Sequence, residues 1–271
     1  MATTLRLGIG GLGAIGLAVA KKVDAGEIPG LRLVAVSARD QAKARARIAG
    51  FKSAPKLVSL AELADEADVI LESIPAAHFA EIAEPAIAKG RIFMPLSVGQ
   101  LLGHMHLIEK AKATGARIMV PTGALLGLDA VRAVAEGHVE SVKIITRKPP
   151  KGLAGAPYLK EHDLSMDDVK VATKIFSGNA REAIRGFPAN VNVAVALSLA
   201  GIGPDRTTVE IWADPTVTRN THTIEVVSDS SNLTMTIANI PSVENPATGK
   251  VTALSAIAAL RRLTAPLVVG S

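Results

Sequence analysis

LRLGIGGLGAIGLAVAKK, residues 5–22, decides how the rest of the chain is read. Leu5, Leu7 and Ile9 alternate along a short apolar strand, and Ala14, Ile15, Ala18 and Val19 return at helical spacing before Lys21 and Lys22. Between them stand Gly11, Gly13 and Gly16, the G-x-G-x-x-G spacing. In a dinucleotide-binding turn the first glycine permits the tight bend and the second lets backbone approach a pyrophosphate. The third lets the helix pack on the strand, with its N-terminus aimed at the anion. A merely structural glycine-rich turn is the competing reading; the complete strand, turn and helix favour the nucleotide. Gly11, Leu12, Gly13, Ala14 and Ile15 are therefore the first expected cofactor contacts.

A chain of 271 residues suits two domains. With 48% hydrophobic and 20% charged residues and no run of 18 uncharged apolar ones, a globular protein is expected and a membrane protein is not. The N-terminus passes from Met1 straight into the first strand without the features of a signal peptide, and there is no cysteine. Both observations point to the cytoplasm. The formal charge of +5 raises nucleic acid as a partner, but the Lys and Arg are dispersed and one Trp, one Tyr and five Phe offer little for bases to stack on. An anionic cofactor and an acidic small-molecule substrate account for the charge.

Residues 31–36 form a second apolar strand, and its end selects the cofactor. An acid there would hold the ribose hydroxyls of NAD, whereas Ala38 flanked by Ser37 and Arg39 can accept the 2'-phosphate of NADP. Asp40 reads as the cap of a helix over 41–49, and Arg39 as a surface charge fits as well as Arg39 as a ligand. Strands at 57–60, 69–73, 91–95 and 116–120, with helices from Ala61, after Pro75 and over 101–114, predict a parallel, doubly wound sheet of the Rossmann type. Residues 73–75 and 97–99, at strand ends, should border the nucleotide. His104 and His106, two apart on a helix, point to different sides and read as surface or packing residues.

The texture changes at 121–124. Val142, Ile144 and Thr146 alternate with Lys143, Ile145 and Arg147, as do Val209 and Ile211 with Glu210 and Trp212, and Leu233, Met235 and Ile237 with Thr234 and Thr236. Such strands predict an α+β domain with a mainly antiparallel, open-faced sheet, helices on one side and the open side free to face the cofactor. An apolar helix over 189–200 opens after Pro188, with Asn190 and Asn192 in its first turn. A last helix over 251–263, begun by Asn245 and Pro246, is expected to return to the first domain. The expected domains are thus 1–121, dinucleotide-binding; 122–240, substrate and catalysis; and 241–271, the returning helix.

His222 begins a strand after a polar loop and shares its face with Ile224 and Val226. A core histidine satisfied by hydrogen bonds and a general acid or base both fit that position. The blocks Gly123 to Asp129, Thr146 to Pro150, Phe187 to Asn192 with Leu199 and Ala200, Asp214 and Pro215, Asn220 to His222, and Asn239 to Pro246 with Thr248 resemble the L-aspartate dehydrogenase family over nearly the whole chain. The resemblance implies that His222 is the catalytic histidine and that Ala124 and Asn190 contact NAD or NADP. It implies oxidation of L-aspartate to iminosuccinate, then oxaloacetate and ammonia, and a supply of imine for NAD biosynthesis. A homodimer is expected, and the composition points to neither nucleic-acid nor membrane partners. Gly249 and Gln100 depart from the serine and alanine expected there. Lys148, Arg219 and the helix start at Asn190 are the candidates for holding two substrate carboxylates. A homoserine dehydrogenase or dihydrodipicolinate reductase relative, and a silent NAD(P)-binding protein, stay open as alternatives.

Overall fold

Strand β1 (Leu5–Gly10) runs into helix α1 (Ala14–Asp24), and the alternation continues through β2 (Leu31–Ser37), α2 (Gln41–Ile48), β3 (Lys56–Leu57), α3 (Leu63–Glu66), β4 (Val69–Glu72), α4 (Phe79–Ala88), β5 (Ile92–Pro95), α5 (His106–Thr114) and β6 (Arg117–Ile118). The computed structural model describes residues 4–188, 191–242 and 248–270. These six strands are parallel, in the order β3-β2-β1-β4-β5-β6. The order reverses between β1 and β4, the switch point outside which such sheets bind ligands. Central β4 reads VILE and is buried along its whole length, as a parallel strand covered on both faces must be. The edge strands β3 and β6 are only two residues each, shorter than the sequence predicts, and each has a neighbour on one side only. The helix predicted from Leu101 starts instead at His106: Val98–Gly103 winds as a 3-10 turn that His104, at φ −128° and ψ 36°, interrupts. His104 Nδ1 lies 2.8 Å from the Gln100 carbonyl oxygen and His106 Nε2 2.7 Å from Glu84.

A second unit follows: α6 (Leu128–Val134), β7 (Val139–Lys148), α7 (Pro157–Glu161), β8 (Thr173–Asn179), α8 (Ala180–Gly186), α9 (Asn192–Ala200), β9 (Thr207–Ala213), β10 (Thr221–Ser228) and β11 (Asn232–Ala238). Its sheet has the order β11-β10-β7-β9-β8; β7 and β9 are parallel and every other pair antiparallel. Period-two alternation puts Val142, Ile144, Val209, Ile211, Ile224 and Val226 on one buried face, where α9 packs on β9 and on α6. The other face carries Lys143, Glu210, Glu225 and Trp212, with the Arg147 guanidinium 4.6 Å from the indole centroid. Strand β8 escapes the sequence reading because its register shifts between Lys174 and Phe176, which breaks the alternation. Helix α9 begins at Asn192, with Val191 at its N-cap position; Ala189 and Asn190 lie outside the described residues.

The last helix, α10 (Lys250–Arg262), begins one residue before its predicted start, and Asn245 and Pro246 lie outside the described residues. Among the described residues, 253–268 belong to the same compact unit as 4–121, and 269–270 to the unit that starts at 122 and runs to 252. Ala256 and Leu260, both fully buried, join Leu7, Ile9, Val19, Leu33 and Val69 in the core of the first unit. Thr264 Oγ1 then donates to the Pro29 carbonyl at 2.7 Å. No helix among the described residues is long and apolar enough to cross a membrane. Removing the Leu260 side chain leaves a cavity in a fully buried site, so Leu260→Ala should cost about 2–5 kcal/mol of stability. Calorimetric melting checks this, and an unchanged transition would place the helix outside the core.

Candidate functional site

The turn after β1 separates what the fold demands from what a ligand would demand. Gly11 sits at φ +90°, its N–H donating to the Ser37 carbonyl at 2.8 Å, and a Cβ there would strike the Ser73 carbonyl. A Cβ on Gly16 would overlap the Gly11 carbonyl oxygen. Gly13 is different: a Cβ would meet nothing within 4 Å. The protein itself has no need of glycine at 13, but a group approaching the backbone closely has. Gly13 is also the N-cap of α1, with no side-chain cap and no acid in the first turn. The first N–H groups and the positive end of the helix dipole thus face the side where Ala14 and Ile15 begin the helix. This cradle fits a pyrophosphate. Sequence reading missed Arg47, whose Nη1 donates to the Leu12 carbonyl from α2; a lone arginine on a polar helix gives no signal of that reach.

Ser37 is buried at the end of β2, Arg39 is exposed beyond it, and Asp40 caps α2 by accepting from Lys43 N at 2.9 Å. At the neighbouring strand ends Ser73 Oγ lies 2.9 Å from both the Gly10 and Gly11 carbonyl oxygens. Glu72, fully buried, accepts from Ile74 N at 3.0 Å and Ser97 Oγ at 3.1 Å through Oε1, and from Ser97 N at 2.8 Å and Leu96 N at 3.1 Å through Oε2. Burial pushes this carboxyl up from its ordinary value, against the pull of those donors.

In the second unit, β7 and β10 place Thr146 opposite His222, and Lys148 two residues along on the same face. All three are buried, at 3%, 6% and 3% exposure for Thr146, Lys148 and His222. Thr146 Oγ1 and His222 Nδ1 share a hydrogen bond of 3.0 Å. Burial lowers Lys148 to about 8. Burial, and after it the Lys148 charge, lowers His222 to about 4, so the imidazole is neutral at pH 7. The backbone here is pinned, since Asp214 N donates to the Lys148 carbonyl at 2.8 Å. The Asp214 carboxylate is held low by Thr216 Oγ1 at 2.6 Å and also accepts from Arg147. His222, Thr146 and Lys148 share the buried sheet face with Ile224 and Val226. Arg219 is exposed.

The loop bearing Ala124 meets the segment after β11. Asn239 Nδ2 donates to the Ala124 carbonyl at 3.0 Å and Asn239 N to the Asn220 carbonyl at 2.8 Å, while the buried Asn239 Oδ1 has no hydrogen-bond partner among the described residues. A Cβ on Gly249 would lie 3.0 Å from that Oδ1, so the departure at 249 adjoins this amide. Asn190 lies outside the described residues. No group of three or more His, Cys, Asp or Glu among the described residues suits a metal ion.

Comparison with known proteins identifies the relatives of this two-part arrangement. Residues 129–263 match the family model "Aspartate dehydrogenase, C-terminal", and residues 11–121 match "Homoserine dehydrogenase, NAD binding domain". The L-aspartate dehydrogenase of Bradyrhizobium diazoefficiens is 52% identical, covering 98% of this chain and 94% of its own. L-aspartate dehydrogenase 3 of Bordetella bronchiseptica is 53% identical, covering 98% of both. The chain belongs to the L-aspartate dehydrogenase family. Its fold matches the crystal structure of aspartate dehydrogenase from Thermotoga maritima at a TM-score of 0.73 and 24% identity, over 98% of this chain and 99% of that one. A myo-inositol dehydrogenase from Lactobacillus casei, solved in complex with NAD(H) and myo-inositol, shares the fold at a TM-score of 0.55 and 13% identity, over 89% of this chain and 76% of that one.

Family membership gives the glycines a sharp test. Gly16→Ala should destabilise the first unit severely through its clash with the Gly11 carbonyl. Gly13→Ala should leave melting unchanged and weaken NADH binding at least about tenfold, because the new methyl occupies the ligand's side. Calorimetry and NADH titration on the same samples decide; a Gly13→Ala protein that binds like the parent would make the turn merely structural.

Proposed function

We propose that the protein is an NAD(P)-dependent L-aspartate dehydrogenase, converting L-aspartate to iminosuccinate, which water takes to oxaloacetate and ammonia. The observation that carries this reading is the buried trio on one sheet face: a neutral imidazole, a threonine hydroxyl and an ammonium. The names of the relatives and the match of the first unit to an NAD-binding domain support it. When bound, the dinucleotide supplies the hydride acceptor for the substrate C2–H. The chain supplies the rest. With Nδ1–H donating to Thr146 Oγ1, His222 Nε2 keeps its lone pair. It accepts a proton from the substrate ammonium, freeing the nitrogen electron pair that forms the C=N bond as hydride leaves C2. His222 then returns protons during hydrolysis of the imine. Lys148, cationic below about 8, attracts a substrate carboxylate. A dicarboxylate also favours the protonated forms of both groups, so substrate raises His222 from about 4 toward the range where a base works well at neutral pH. His222 is the catalytic residue in this scheme, and Gly11, Leu12, Gly13, Ala14, Ile15, Ser37, Arg39, Ala124 and Asn190 are the cofactor contacts. Imine released before hydrolysis would serve NAD biosynthesis.

The reaction is tested with oxaloacetate, ammonia and NADH or NADPH, and in reverse with aspartate. Homoserine is the control, given the match of the first unit; turnover of homoserine without aspartate would overturn the assignment. His222→Asn should lower kcat by about 10²- to 10⁴-fold with NADH affinity unchanged. The folded histidine resists protonation until about pH 4, whereas the unfolded one takes a proton below about 6.5. Stability contributed by His222 is therefore present above 6.5 and lost as pH falls through that window, on the order of 3 kcal/mol in all. His222→Asn should flatten this part of the pH–stability curve, and a variant that keeps its turnover would remove His222 from the chemistry.

For the cofactor, Ala38 in place of an acid and Arg39 beside it favour acceptance of NADP at least as readily as NAD. Arg39→Ala should raise KM for NADP about tenfold while sparing NAD. An unchanged ratio of the two KM values would leave Arg39 a surface charge.

A further inference from the structure

Glu72 is a buried charge that this scheme does not use. It ends a strand whose other residues are apolar, and it is fully buried, a rare position for a glutamate. A carboxylate there costs several kcal/mol of desolvation that an apolar side chain would avoid. What it secures is specific. Its four donors come from Ile74, Leu96 and Ser97, in the loops that follow β4 and β5. Leu96 N also donates to the Glu72 backbone carbonyl at 3.1 Å, whereas Ile74 N and Ser97 N, beyond the sheet's last rungs, are met by the two carboxylate oxygens. The next residue works in the opposite direction, Ser73 Oγ reaching the Gly10 and Gly11 carbonyls of the glycine turn. Adjacent side chains on one strand end thus tie together the ends of β1, β4 and β5, the edge at which a sheet of this order binds its ligand.

We propose that Glu72 is a positioning residue for the nicotinamide dinucleotide: its carboxylate fixes the loops after β4 and β5 in the spacing that the cofactor requires, without touching it. The proposal rests on the first unit being the cofactor site, and it is independent of which amino acid is oxidised. Glu72→Gln keeps the shape but turns an amide N–H toward donors, so one loop is released. Ser97→Ala removes a single donor and leaves the carboxylate and three backbone donors.

The test is fluorescence titration of each full-length variant with NADH, beside calorimetric melting and, at saturating cofactor, KM for aspartate. For Glu72→Gln the NADH Kd should rise about tenfold, for Ser97→Ala about threefold, and KM for aspartate should stay within about twofold of the parent. A purely structural role predicts a lower melting temperature with the parent Kd in the folded fraction, and that result overturns the proposal. An equal rise in NADH Kd and aspartate KM, reporting general loosening, overturns it too. If Glu72→Gln does not fold, Ser97→Ala decides by the same criteria. The NADH titration needs no turnover, so failure of the aspartate assignment would leave this result standing.

Discussion

The Gly11 carbonyl is wedged between the backbone of Gly16 and the hydroxyl of Ser73, with no room for a side chain on the helix beside it. That close approach is what the first unit is built around. It seats α1 against β1, brings the end of β4 under the turn, and leaves the helix N-terminus uncapped by any side chain. One steric constraint therefore creates both the packing and an anion-seeking surface. The glycine with open space beside it, Gly13, marks which side of the turn the anion takes.

The two units handle buried charge in different ways. In the first, burial also pushes the Glu72 carboxyl up, but backbone and hydroxyl donors oppose that push, and its effect is mechanical. In the second, Lys148 and His222 share a face with apolar neighbours, and burial works against the charged form of each. A site whose groups are held away from their charged forms responds strongly to an arriving anion, whereas a satisfied carboxylate hardly responds. Positioning suits the one arrangement and proton transfer the other.

Much of this was legible in the residues. Alternating apolar runs and helical spacing gave the parallel sheet, and period-two strands gave the second sheet, because burial on one or two faces leaves those patterns directly. The nucleotide turn was legible because its glycines answer to sterics. The partners of His222 were harder: Thr146 looks like an ordinary polar β-branched residue until register sets it opposite His222. Glu72 was invisible as a site, since an acid after Val69, Ile70 and Leu71 reads as the end of a buried strand. Arg47 and Asn239 depend on contacts from residues 35 and 115 positions away, which no local pattern encodes. Strand β8 was missed because its bulge interrupts the alternation on which strands are recognised.

Trp212 is the sole tryptophan, flanked by Arg147 and Lys174 on the open face of the second sheet, and Tyr158, the sole tyrosine, is in the same unit. Excited where only Trp and Tyr absorb, the first unit therefore contributes no emission of its own. An intrinsic-emission melt follows only the second unit, while circular dichroism sums the helices of both. Where the two curves separate, the units unfold independently; where they coincide, the chain melts as one cooperative body.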